Sequence, residues 1–107
     1  MRVFDNLYLD NATTPTNTTS QAIEMGDNNA LQVAATLIAG GTGTITVDGS
    51  NDLTNWVAIV GTITLSASGP AFTSAVYTAI AWRYTRIRAV AGTSDALINV
   101  DVHAQKF

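Results

Sequence analysis

The chain has 107 residues, 47% of them hydrophobic and 12% charged, and eight acidic side chains against five Lys and Arg give a formal charge of −3. One core of this size uses most of such a chain, so the length holds a single domain, and a small negative charge excludes the wrapping of nucleic acid, which needs a basic surface. The absence of cysteine excludes disulfides and thiolate metal sites, while apolar positions that favour Val, Ile, Thr and Ala over Leu predict an all-β chain.

The opening "MRVFDNLYLD" has acidic Asp5 and Asp10 where a signal peptide would have an apolar run, so synthesis in the cytoplasm without an export signal is expected. No stretch approaches the ~20 apolar residues of a membrane span, and no membrane partner is expected. Residues 10–20, "DNATTPTNTTS", contain no large apolar side chain and cannot offset their own ordering entropy. Residues 1–20 therefore read as an N-terminal arm whose Val3, Phe4, Leu7, Tyr8 and Leu9 form an interface. That arm either docks on a neighbouring subunit or folds back on its own domain. Asn11 and Asn17 each begin an N-x-[ST] pattern, but without a secretory signal they read as ordinary loop residues.

From residue 21 to 107 the pattern is one of short strands separated by turn signals. A first strand covers about 21–25. Leu31, Val33, Ala35 and Leu37 then alternate with polar or small residues, which puts them on one buried face. "GGTG" at 40–43 reads as the turn of a hairpin into a strand that buries Ile45 and Val47. "DGSNDLTNW" at 48–56 is the most polar stretch of the second half. Asp48, Ser50 and Asp52 have the alternate spacing of calcium ligands, but Leu53 and Ile59 stand where an EF-hand loop needs Gly and Glu. A turn made by side-chain to backbone hydrogen bonds is the better reading, and neither a metal nor any other cofactor is expected.

"WVAIVG", "TITLSASG", "SAVYTAI", "WRYTRIRAV" and "ALINVDVHA" follow, with a Gly-Pro turn at Gly69 and Pro70. Thr85, Ile87 and Ala89 face inward, opposite Tyr84, Arg86 and Arg88; Ile98, Val100 and Val102 face inward, opposite Asn99, Asp101 and His103. The total is about eight strands, which fits a two-layer antiparallel β-sandwich, jelly-roll or Ig-like, with an extended N-terminal arm. His103, the only histidine, has no serine or acid marked as its partner, so no catalytic constellation and no enzyme is read. Arg86 and Arg88 suggest cross-strand ion pairs with Asp95 and Asp101. Trp56, Trp82, Tyr77 and Tyr84 read as core or interface rings, or as a platform for stacking sugars.

The succession "GTGTITV", "GSNDLTNW", a Gly-Pro turn and "WRYTRIR" resembles β-sandwich virion structural proteins of tailed bacteriophages over about three-quarters of the chain. The resemblance implies that Ser50, Asp52 and Trp56 maintain a corner of the sandwich, with Arg86 supporting the facing strand. It implies a capsid decoration or cement protein, made in the host cytoplasm and held on the virion surface as a homotrimer against the major capsid protein. Many copies on a lattice would supply avidity and stabilise the assembled shell by mass action. The alternative is a carbohydrate- or receptor-binding module of a phage fibre or tail, in which Trp56, Trp82 and Tyr84 contact a glycan.

Overall fold

The computed structural model of the chain describes residues 1–11, 17–66 and 71–106. Nine strands and no helix occur among them: β1 (Arg2–Leu9), β2 (Asn17–Thr19), β3 (Ile23–Glu24), β4 (Ala30–Gly40), β5 (Thr42–Ser50), β6 (Val57–Ser66), β7 (Phe72–Tyr77), β8 (Tyr84–Ala91) and β9 (Ala96–Gln105). They make a two-layer antiparallel sandwich. The first sheet has the order β1-β9-β4-β7 and the second β2-β8-β5-β6, with β3 also paired to β8. Because β2 and β3 follow one another along β8 (Thr18↔Ala89, then Ile23↔Thr85), they act as one interrupted strand. With that pair counted once, the eight strands have jelly-roll wiring.

Alternation explains the core. Leu31, Val33, Ala35 and Leu37 of β4 are buried, and across the ladder Val33 stands beside Val102, Ala35 beside Val100 and Leu37 beside Ile98. Facing them, the second sheet contributes Ile45 and Val47, Ile63 and Leu65, and Ile87 and Ala89, all buried. Each of these strands thus presents one apolar row to the layer opposite.

Two departures from the sequence reading, and one choice that it left open, set the geometry. First, the Gly-Gly link after β4 is a corner between layers and not a hairpin turn, since β4 lies in the first sheet and β5 in the second. Gly40 sits at φ +95°, a left-handed conformation that glycine adopts at low cost, and the Gly41 N–H donates to Asp95 O at 2.8 Å. The hairpin of this region is β5–β6, and "DGSNDLTNW" spans its tip. Second, "WVAIVG" and "TITLS" are one strand, β6. Its register against β5 shifts between Thr46↔Thr62 and Asp48↔Ala58, where Gly61 has φ +104°, so a bulge gives the appearance of two strands.

Third, residues 2–9 do not reach away from the domain. They form an edge strand of its own first sheet, pairing Leu7 with Ile98 and Leu9 with Ala96. Leu9 is fully buried, and a Cβ on Gly43 of the opposite sheet would stand 2.8 Å from Leu9 Cδ1. Val3, Phe4 and Leu7 pack against the same core, whereas Tyr8 points out and donates from Oη to Asp95 Oδ2 at 2.6 Å. The strand is interrupted where Asn6 takes φ +52° and the register slips between Phe4 and Leu7. Residues 12–16 of the expected linker, the Gly69-Pro70 turn and Phe107 lie outside the described residues.

Candidate functional site

The outer face of the second sheet gathers the polar side chains that β5, β6 and β8 turn away from the core. Pairing of β5 with β8 sets Ser50 beside Tyr84, Asp48 beside Arg86, Thr46 beside Arg88 and Thr44 beside Val90; β6 adds Thr62 beside Thr46 and Thr64 beside Thr44. At its centre is Asp48, whose side chain is only 4% exposed. Arg86 Nε donates to Asp48 Oδ2 at 3.0 Å, and Arg88 Nη2 donates to Oδ1 at 3.2 Å. One carboxylate between two guanidiniums leaves a local excess of positive charge on a protein that is negative as a whole. Arg88 Nε is buried without a hydrogen-bond partner.

Trp56 completes the arrangement. The Arg86 guanidinium carbon lies 4.3 Å from the centroid of the Trp56 ring, close enough for cation–π attraction. The buried carboxylate fixes Arg86, and Arg86 fixes the plane of a half-buried indole at the edge of the face. Ring, cation and threonine hydroxyls therefore share one surface.

The loop that carries Trp56 there is built by two side chains. Ser50 Oγ accepts from the N–H groups of Asp52 and Leu53 and donates to Asp52 Oδ1 at 3.0 Å. Asp52 Oδ1 also accepts from the N–H groups of Thr54 and Asn55, and Asn55 Nδ2 donates to Asp52 Oδ2 at 2.7 Å. These donors, the Asn55 N–H foremost, hold the Asp52 carboxyl far below its ordinary range. Asn51 Oδ1 accepts from the Arg83 N–H at 3.0 Å, which ties the loop to the start of β8. Leu53, at φ +64°, is kept in a left-handed conformation by this network.

Ser50 is thus bonded to Asp52 and Arg86 lies on Trp56, but Asp48, the residue that joins the two arginines, is the one that sequence reading did not assign to them. Its signal was present: Asp48 has the same outward parity as Thr44 and Thr46. The pairing of Arg86 and Arg88 with Asp95 and Asp101 is corrected, because β8 and β9 belong to different sheets. Asp101 instead accepts from Arg2 Nε at 3.0 Å, and Asp95 from the Asn11 N–H at 2.9 Å. Asp48 and Asp52 hold separate partners, and among the described residues no three His, Cys, Asp or Glu side chains gather as metal ligands do.

The four expected aromatics do not form one platform. Tyr77 is buried and donates from Oη to Gly61 O at 3.2 Å. Trp82 packs against the core, and a Cβ built on Gly49 would fall 2.3 Å from its Cδ1. Gly49 faces inward by alternation, so Trp82 covers the opposite side of β5 from Trp56. Only Trp56 and Tyr84 stand on the outer face. His103 is exposed on the first sheet opposite Gln32.

No protein-family model and no curated protein matches the chain. Among solved structures, the chain is similar to a carbohydrate-binding module, CBM28, described as specific for non-crystalline cellulose: 13% identity, TM-score 0.50, covering 87% of this chain and 65% of that one. A CBM4 structure is similar at 15% identity and TM-score 0.47, covering 83% of this chain and 61% of that one. The chain thus spans less than two thirds of the length of either structure. At this identity the first likeness is one of fold, a β-sandwich shared with a carbohydrate-binding module.

Proposed function

We propose that the chain is a non-catalytic carbohydrate-binding β-sandwich module whose glycan lies on the outer face of the second sheet, with Trp56 as its stacking ring. The observation that carries this reading is the chain of support from buried Asp48 through Arg86 to the Trp56 indole. Sugar recognition needs an apolar ring whose position is set in advance and polar groups beside it. Here Arg86 lies against the ring, and further along the same face Thr46 and Thr44 of β5 stand beside Thr62 and Thr64 of β6 on strands about 4.8 Å apart. The exposed Thr62 and Thr64 of β6 continue the same face beyond Asp48, which suits an extended polysaccharide. The fold, shared with a module for non-crystalline cellulose, is compatible with that ligand.

Affinity electrophoresis through gels containing soluble cellulose derivatives and other polysaccharides tests the proposal. Retardation by at least one polymer is expected, weakened about tenfold by Trp56→Ala, the equivalent of about 1.4 kcal/mol. Retention unchanged in that variant, or no retention by any polymer, would reject the reading.

A second reading is a capsid-surface protein bound to the major capsid protein. It is supported by the outer face of the first sheet, where Ile38, Phe72 and Val76 stand exposed, and which a lattice contact would cover. The segment proposed to reach the capsid, residues 2–9, is engaged within its own sheet. Co-sedimentation with capsid shells that free sugar does not inhibit would favour this reading over the first.

A further inference from the structure

Four strands end the two sheets, and three of them carry devices that discourage pairing with another chain. β1 has the exposed charges Arg2 and Asp5 and two register shifts. β2 is three residues long, and β6 carries the bulge at Gly61. Charge, brevity and bulging are the usual protections of a sheet edge. The fourth edge, β7, has the sequence FTSAVY, with no charge and no proline, and pairs with β4 in unbroken register from Leu31↔Tyr77 to Thr36↔Phe72.

Its main-chain groups can be assigned. Leu37 N–H donates to Ala71 O at 2.6 Å, so in an antiparallel ladder Ala71, Thr73, Ala75 and Tyr77 direct their N–H and C=O groups at β4. Phe72, Ser74 and Val76 therefore direct theirs outward, where no strand lies among the described residues. The same three residues turn their side chains to solvent, with Phe72 62% and Val76 53% exposed.

We infer that β7 is the interface for a second copy of this chain, paired antiparallel with its own counterpart about a two-fold axis midway between the two Ser74 residues. That register is self-complementary: Ser74 meets Ser74, and Phe72 meets Val76 on either side. All three pairs are of the kind that exchange both main-chain bonds. Phe72 and Val76 of each copy then cover one another on the outer face, while Thr73 and Ala75 lie over the continued core. The result is one continuous sheet across two sandwiches. The axis runs perpendicular to that sheet and keeps both outer faces of the second sheet on the same side, so a polymer that meets one face meets both.

The test is the solution mass of the full chain, by light scattering and sedimentation across the micromolar range, against the 11.2 kDa of one copy. Twice that mass is expected. Ser74→Pro removes an outward N–H without touching the β4 ladder, and Val76→Lys adds an edge charge; each should return the protein to one copy with its melting transition retained. Ser74→Cys introduces the only thiol, at a position where paired strands bring Cα atoms about 5.5 Å apart, and should crosslink under mild oxidation far faster than Thr54→Cys. A wild-type protein of one copy throughout, a threefold mass, a dimer that survives Val76→Lys, or equal crosslinking at the two cysteines would overturn the inference.

Discussion

Replacing Asp48 by alanine removes the shared acceptor of two guanidiniums. The carboxylate is almost fully buried, while the Arg86 and Arg88 side chains are 25% and 31% exposed. Breaking a buried ion pair on one side costs about 3–5 kcal/mol. Because water can still reach both arginines, the lower limit applies, and we expect a loss of about 3 kcal/mol. For a domain near 100 residues that corresponds to a fall in Tm of about 12 °C or more. Denaturant titration with an unchanged m-value would assign the loss to the folded state. The triple variant Asp48→Val, Arg86→Met, Arg88→Met should recover most of the stability, since apolar residues of similar volume replace buried charges well, yet it should not bind glycan, because nothing then orients Trp56. A loss of less than about 0.5 kcal/mol in Asp48→Ala would show instead that the cluster behaves as an ordinary surface pair.

Three further outcomes follow from the packing and the loop. Leu9→Ala should cost about 3 kcal/mol, because the side chain fills space between the sheets against Gly43, and deletion of residues 1–9 should abolish the cooperative transition; a normal melt of the truncated chain would return β1 to the role of an arm. Gly49→Ala should displace the Trp82 ring and cost about 1–3 kcal/mol, read by denaturation and by near-ultraviolet circular dichroism. The Asp52 carboxyl is held below the ordinary 3.8, so its contribution to stability is fully present above that pH and is lost as the pH falls through it toward the lowered value. The Thr54 and Asn55 amide resonances should shift in that acid range, and Asp52→Asn should remove the dependence.

What could be read from the sequence was the facing of residues. In β4, β5, β8 and β9 strict alternation named the inward side chains, because period-2 patterning and burial are two expressions of the same geometry. What alternation does not contain is the identity of the neighbouring strand. Arg86 and Arg88 were thus assigned the wrong acids, and the Gly-Gly corner was taken for a hairpin, since a glycine pair serves either purpose. For β1 the apolar residues were legible, but the break at Asp5 and Asn6 disrupts the alternation, which left docking on a neighbour and folding back on its own domain equally open. Trp56 and Trp82 were grouped by type, although the space over Gly49 admits only one of them to the inner side of β5. Ser50 and Asp52 were legible together because their bonds are local, within the loop itself.

Stacking of a glycan on Trp56 at the outer face of the second sheet can be read directly from the tryptophans. The chain has two tryptophans, one on each side of β5, so two indole N–H resonances serve as probe and internal control. In an NMR titration with a soluble cello-oligosaccharide and a panel of other oligosaccharides, saturable movement of the Trp56 resonance with that of Trp82 unmoved is the predicted result. Movement of Trp82 alone, or of neither resonance with any oligosaccharide, would rule out stacking on Trp56.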